Sequence, residues 1–406
     1  MDAMEQPYVI VGASLAGAKA AGALRSEGYE GPLELIGAET ELPYERPPLS
    51  KGFLQGKTPR GEFDVHPAEW YAEHGVTLRL GTAVTALDPD AHTVTLDDGS
   101  RRSFAKLLLA TGASPRPLPV PGGDRPDVLT LRSAADSIRL RERLTPGARI
   151  VVVGAGWIGL EVAAAARAAE AGVTVLEAAE LPLLRVLGPE VARVFADLHR
   201  AHGVDLRFGA KVAAVEDGGV RLGDGTLVPA DTVVVGVGIV PNTGLAEAAG
   251  LAVDNGVRTD AHLRTSHPDV FAAGDVANAF HPFYGRPIRV EHWANALNQP
   301  ATAAKSMLGQ DAVYDRVPYF FTDQYDLGME YTGYAEPGGY DRVVFRGDVA
   351  AREFVAFWLA DGRVLAGMNV NVWDVVDPIR ALILGGRPVD EARLTDPDVP
   401  LEELAG

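Results

Sequence analysis

Gly12, Ser14 and Gly17 follow the apolar run Tyr8-Val9-Ile10-Val11 at intervals of two and three residues. Gly154, Gly156 and Gly159 repeat that spacing after Ile150-Val151-Val152-Val153. This pattern turns a strand tightly into a helix, whose N-terminal N–H groups can hold a phosphate. In the second copy Gly154 makes the turn, Gly156 lets the backbone approach a pyrophosphate, and Gly159 packs helix against strand. In the first copy serine takes the middle place. It is small and brings a hydroxyl donor, so phosphate binding survives. One such match is often only a tight turn. Two, each between a strand and a helix, predict two dinucleotide cradles.

Each cradle needs an acid at the end of its second strand, to accept hydrogen bonds from ribose hydroxyls. Glu177 closes Val173-Thr174-Val175-Leu176-Glu177, near the expected ~20 residues beyond the glycines. In the first copy Glu39 lies a little past the strand end and is the candidate, because Glu34 falls nearer mid-strand. Two dinucleotide sites imply two dinucleotides, one held tightly and one diffusing. The second cradle then brings a hydride donor to a flavin held by the first.

The elements that position these residues recur in order. Residues 8–39 read as strand, glycine turn, alanine-rich helix and second strand, a βαβ unit of roughly 30 residues. Residues 81–100 alternate with period two around Asp98-Gly99 and predict a hairpin, followed by a buried strand at 106–109. Pro115, Pro117, Pro119 and Pro121 mark an extended linker. Residues 150–177 repeat the βαβ plan, and residues 211–238 again give a hairpin and then a buried strand. This is a duplication at domain scale. A helical run over 293–310 follows. From about residue 318 the pattern returns to hairpins, with a turn at Asp361-Gly362, and predicts a third, smaller α+β domain.

Composition bounds the reading. The chain has 406 residues, enough for two or three cores. It is 47% hydrophobic and 23% charged, as soluble globular proteins are. No apolar run is long enough to span a bilayer, and the N-terminus lacks the basic start and apolar stretch of a leader, so the expected location is cytoplasmic. The chain contains no cysteine, which removes disulfides, thiolate metal sites and cysteine catalysis. A net charge of −18 argues against nucleic-acid binding. The histidines show no metal-ligand spacing, and no metal is expected.

The motifs together resemble the FAD-dependent pyridine nucleotide oxidoreductases of the glutathione reductase fold. Within them the chain is most similar to the NADH-dependent ferredoxin reductases that serve Rieske-type oxygenases and bacterial cytochromes P450. The carriers of the resemblance are VIVGASLAG, YERPPLSK (44–51), LLLATGASPR (107–116), LRSAADS (131–137), VVVGAGWIGLE, VVVGVGIVPNT (233–243), VFAAGDVA, EHWANA and PYFFTDQYD (318–326). The resemblance implies an α/β fold with two Rossmann-like domains and a C-terminal α+β domain. An FAD-binding domain would span 1–115 and 244–317, an NAD-binding domain 116–243, and the C-terminal domain 318–406.

It also implies site residues. Thr111 and Gly112 would lie beside FAD, as would Ala16 and Ala110 from the neighbouring loops. Asp275 would bond ribityl or phosphate-side groups, with Gly274 leaving room. Val84 would meet the adenine through its backbone. Arg46, Arg132 and Trp293 match FAD-contacting positions, and Lys51 one near flavin N5. Ile158, Arg185 and Gly238 join Gly154, Gly156, Gly159 and Glu177 at the NADH site. Glu161, close to the start of the second helix, is explained by the helix dipole alone. The resemblance instead pairs it with Lys51, and these two are the expected catalytic residues. His292 is not taken as a base, because hydride transfer to a flavin needs none. Phe320-Phe321 stand where many relatives carry tryptophan.

These features imply an NADH:ferredoxin reductase with non-covalent FAD, monomeric and without a membrane or nucleic-acid partner, whose acceptor is a [2Fe–2S] ferredoxin. An NADH oxidase or rubredoxin reductase of the same fold is the alternative. A disulfide reductase would need the missing cysteines. A signalling flavoprotein resembling apoptosis-inducing factors would want a basic surface.

Overall fold

The computed structural model describes residues 6–405. The reading of the N-terminus as leaderless rests partly on residues 1–5, outside that range. The chain forms two compact units. The first takes the chain up to Arg46, Pro59–Ser114 and Val240–Arg316, and the second takes Pro47–Thr58, Pro115–Ile239 and Val317 onward.

In the first unit, Tyr8–Val11, Leu33–Ile36 and Val76–Arg79 lie side by side, with Lys106–Leu109 and then Val270–Ala272 on the other flank, all parallel. Numbered by sequence, the order is third-second-first-fourth-fifth, the doubly wound arrangement. The strands are apolar nearly throughout because both faces of the sheet are covered. The helix Leu15–Ser26 packs its alanines beside the helix Trp293–Met307, and Ala18, Ala20, Ala21, Ala303 and Ala304 are fully buried. Small side chains let the two backbones approach closely.

The second unit repeats the plan. Arg149–Val153 is central, with Gly172–Glu177 and Asp205–Phe208 on one side and Thr232–Val235 on the other. The fifth strand is where the two copies differ. Here it is Val128–Leu129, which precedes the glycine loop in sequence. Both expected hairpins are three-stranded meanders: Val84–Asp88, Thr93–Leu96 and Arg101–Ser103 in the first unit, and Val212–Glu216, Gly219–Leu222 and Leu227–Pro229 in the second. Asp98-Gly99 turns between the last two strands of the first meander.

The C-terminal part of the second unit is a five-stranded antiparallel sheet ordered Tyr319–Gln324, Leu327–Gly333, Arg363–Val370, Glu353–Ala360, Arg342–Asp348. Asp361 and Gly362 both have positive φ, 49° and 72°, which suits a tight hairpin with the right twist. One face of the sheet, carrying Phe320, Tyr331 and Trp358, shares a core with Leu160 and Phe195. The other, carrying Phe357, Leu359 and Val364, is covered by Ile379, Leu382 and Ile383 of the helix Val376–Gly385. Among the described residues no helix is long and apolar enough to cross a membrane.

Candidate functional site

The glycine loops differ in what demands each glycine. At Gly12 φ is +117°, and a Cβ would sit 2.1 Å from the Ala110 carbonyl oxygen. At Gly154 φ is +103°, and a Cβ would sit 2.4 Å from that of Gly236. Both turns are dictated by the chain itself. Gly156 is different. Its backbone is extended (φ −79°), and a Cβ would meet no protein atom closer than 3.9 Å. No protein neighbour demands glycine there. The space a Cβ would fill is open, as the close approach of a pyrophosphate requires. In the first unit, Ser14 is the N-cap of Leu15–Ser26 and its side chain makes no capping bond. The hydroxyl is therefore not spent on the helix. On these observations both loops fit a dinucleotide.

Around the first loop, Glu39 lies beyond the second strand and its carboxylate accepts from Tyr44 Oη and, at 2.9 Å, from Arg46. Glu34 pairs instead with Arg79 at 3.0 Å. The Ala110-Thr111-Gly112 segment is held by a residue that sequence reasoning passed over. Asn242 accepts from Thr111 Oγ1 through its carbonyl (2.9 Å), returns its amide to the Thr111 carbonyl (2.8 Å), and accepts from Ser114 Oγ (2.8 Å). It lies in the quoted IVPNT string, but only the fold brings it here. Gln299, fully buried, likewise accepts the Gly274 N–H at 2.8 Å and fixes the turn that carries Asp275. A Cβ at Gly274 would lie 3.1 Å from that of Ala16. Trp293 opens its helix and donates Nε1 to Glu45 at 3.2 Å. His292 is pushed down to about 4 by burial, partly opposed by the charge of Asp275, and is neutral at pH 7. Val84 begins the first strand of its meander.

In the second unit, Glu177 ends its strand and its carboxylate is already engaged. It accepts the N–H of Ala155 in the glycine loop at 2.7 Å and that of Ala179 at 2.8 Å. The acid thus also sutures the loop. Ile158, in the first turn of the helix Trp157–Ala168, is 43% exposed. Arg185 is exposed in the first turn of Leu184–Ala201. Gly238 has φ +105°. Arg132 precedes the helix Ala134–Arg141 and gives its N–H to Asp136.

Glu161 is the fifth residue of its helix, past the first turn, and its side chain is only 4% exposed. The helix dipole does not account for a carboxylate at that depth, since the effect fades within the first turn. Three donors do. Lys51 Nζ stands 2.7 Å from Oε1, and the Ser50 and Thr322 hydroxyls also donate to the carboxylate. Ser50 and Thr322 were missed at the sequence level, although both lie in quoted motifs. A hydroxyl beside a lysine, or in a strand, carries no local sign of a partner more than a hundred residues away. Phe320 is core, and the half-buried Phe321 ring lies beneath Lys51 Nζ, 5.6 Å from its centroid. Among the described residues no group of three or more His, Cys, Asp and Glu could hold a metal ion.

Similarity to known proteins extends over nearly the whole chain. Residues 6–300 match the pyridine nucleotide-disulphide oxidoreductase family, and residues 319–405 match the reductase C-terminal domain. The chain is 43% identical to the 5,5'-dehydrodivanillate O-demethylase ferredoxin reductase subunit of a Sphingobium species, covering 98% of this chain and 97% of that one. It is 40% identical to putidaredoxin reductase of Pseudomonas putida, covering 98% and 96%. Among solved structures, the covalent putidaredoxin reductase–putidaredoxin complex superposes with a TM-score of 0.94 at 39% identity, covering 98% of this chain and 97% of that one. The chain therefore belongs to the pyridine nucleotide-disulphide oxidoreductase family and carries a reductase C-terminal domain.

Proposed function

We propose that the chain is an NADH:ferredoxin reductase that carries non-covalent FAD and supplies a [2Fe–2S] ferredoxin of a cytochrome P450 or Rieske oxygenase system. The observation that carries this reading is the pair of glycine cradles, each at the head of its own parallel sheet, in a chain without cysteine. A relative of this family that passed electrons through a dithiol would need thiols. The full-length similarity to ferredoxin reductase components supports the same conclusion.

FAD, when bound, supplies the step that takes two electrons from NADH as hydride and gives them up singly. The residues do the holding. In the first unit we assign Gly12, Ser14, Ala16 and Gly17 to the pyrophosphate, Glu39 with Arg46 to the ribose side, and Val84 to the adenine. Ala110, Thr111, Gly112, Gly274, Asp275 and Trp293 are assigned to the flavin side, together with Arg132. In the second unit Gly154, Gly156, Ile158, Gly159 and Gly238 receive NADH. Glu177 accepts from its adenosine ribose, and Arg185 lies nearby. Lys51 and Glu161 are assigned to the hydride-transfer step: Lys51 as the cation that serves the flavin, and Glu161 as the buried counter-charge that fixes it.

We take the protein to act as a monomer in the cytoplasm, where NADH is supplied; light scattering tests the first point. The functional test is a panel assay. The purified protein should be yellow, NADH should bleach it under anaerobic conditions, and a [2Fe–2S] ferredoxin should be reduced faster than rubredoxin or dioxygen. Faster turnover with rubredoxin or dioxygen than with every ferredoxin tried would overturn the assignment in favour of a rubredoxin reductase or an NADH oxidase.

A further inference from the structure

The Thr322 hydroxyl has one proton, and its neighbours decide where that proton points. Gln324 Nε2 lies 3.3 Å from Thr322 Oγ1 and can only donate. Thr322 therefore accepts from Gln324 and gives its own proton to Glu161. The amide of Gln324 is oriented in turn, because its Oε1 takes the Nε2 proton of His199 at 2.8 Å. His199 is wholly buried and is held neutral by that burial, with its Nδ1 facing Tyr325 Oη at 3.3 Å. A neutral imidazole that donates from Nε2 accepts at Nδ1, so Tyr325 donates. One directed chain of hydrogen bonds thus runs from Tyr325 through His199, Gln324 and Thr322 to the carboxylate that holds Lys51. His199, Thr322 and Gln324 are each at most 1% exposed. At such low local dielectric, aligned bonds polarise one another, and a missing member leaves its neighbour unpaired.

The other side of the carboxylate is fixed independently. Ser50 ends the turn Pro47–Ser50, and that turn is tied down by Ser137 Oγ donating to the Leu49 carbonyl at 2.7 Å. Glu161 is therefore held by a rigid turn on one oxygen, and by the C-terminal sheet through Thr322 on the other, the oxygen that also binds Lys51.

We propose that Thr322, oriented by Gln324 and His199, is a positioning residue: it sets Glu161, and through it Lys51, for hydride transfer. This rests on the assignment of Lys51 and Glu161 to that step. The C-terminal sheet then contributes to the reductive half-reaction.

The test uses the flavin-loaded protein with Thr322→Val, which keeps the shape and removes the proton, and Thr322→Ser, which restores it. In rapid mixing, Thr322→Val should slow flavin reduction by NADH about ten-fold, the scale of one charge-assisted bond at ~1.4 kcal/mol per decade. The Kd for NADH should stay within about two-fold, because no group of the cradle changes. The midpoint potential of the bound flavin, a readout independent of turnover, should move in the direction given by Lys51→Met. Thr322→Ser should return both to the wild-type values. Gln324→Met leaves Thr322 in place but unoriented and should give the same signature at smaller size, so the test stands even if Thr322→Val loses FAD. If Lys51→Met shifts rate and potential while Thr322→Val and Gln324→Met overlay the wild type, the positioning role is wrong and the Lys51 assignment survives. If Lys51→Met itself changes neither, the assignment falls and the inference with it.

Discussion

At the scale of single residues, the second cradle holds one glycine that the chain itself requires, Gly154, and one that it does not, Gly156. Gly154→Ala places a Cβ against the Gly236 carbonyl at a φ that L-residues rarely adopt, and should lower stability by about 2 kcal/mol or more. Gly156→Ala brings its Cβ no closer than 3.9 Å to the Gly236 carbonyl oxygen and keeps an ordinary φ. It should melt within a degree or two of wild type while raising the KM for NADH about ten-fold or more, through steric conflict with the pyrophosphate. Equal thermal losses in both variants, or an unchanged KM in the second, would contradict this division. With Glu177 assigned to the adenosine ribose as proposed above, it should set the choice of nicotinamide. Its carboxylate suits ribose hydroxyls and repels a 2′-phosphate, and the residues after it, Ala178, Ala179 and Glu180, provide no compensating arginine. NADH should be preferred at least ~100-fold in kcat/KM, about 2.7 kcal/mol. Because Glu177 also holds the Ala155 N–H, Glu177→Ala should narrow the gap from both sides, improving NADPH and weakening NADH. Steady-state kinetics with both cofactors check this, and equal wild-type efficiencies would remove Glu177 from the ribose.

At the scale of elements, the helix Leu184–Ala201 and the hairpin of Tyr319–Gln324 with Leu327–Gly333 meet at His199, and that junction is sensitive to acid. Burial pushes His199 down to about 4 in the folded protein, against about 6.5 for a free histidine. The unfolded chain binds the proton first. The stability associated with His199 is therefore complete above pH ~6.5, falls by up to ~1.4 kcal/mol per pH unit towards pH ~4, and levels off below. In urea unfolding at pH 7, 6 and 5, His199→Gln should flatten the acid slope by about one proton relative to wild type. Parallel curves would show that His199 is not protected from protonation. This junction also marks where sequence reading ran out. The strands and helices around both cradles were legible because their apolar runs and glycine spacings are local. The acids at strand ends were legible because a fixed spacing carries them. Asn242, Gln299, Ser50 and Thr322 were not, since each matters only through a partner supplied by chain closure. The depth of Glu161 was hidden for the same reason: a glutamate near a helix start reads as exposed until a sheet from the far end of the chain covers it.

At the scale of the whole molecule, the charge of −18 bears on the encounter with the proposed ferredoxin, which we expect to be small and acidic. An acidic partner would have to dock on a local basic patch against the overall field, so ferredoxin reduction should slow as salt rises, the steering being screened over ~10 Å at 0.1 M. Rates constant from low to high ionic strength would exclude that steering. The division of the chain also has a bearing on its synthesis. The backbone passes from one unit to the other after Arg46, Thr58, Ser114, Ile239 and Arg316, so neither unit is a continuous stretch. A nascent chain can pair Tyr8–Val11 with Lys106–Leu109 early, but the flanking strand Val270–Ala272 leaves the ribosome on the order of ten seconds or more later, at ~5–20 residues per second. In that interval the edge of the first sheet is open while the second sheet is already being made, and two sheets that share the order of four strands and similar apolar sequence are well placed to mispair. The duplication that gives the enzyme its two cradles thus gives its birth a window in which the halves can be confused, and a chaperone that covers bare strand edges is the helper such a chain needs.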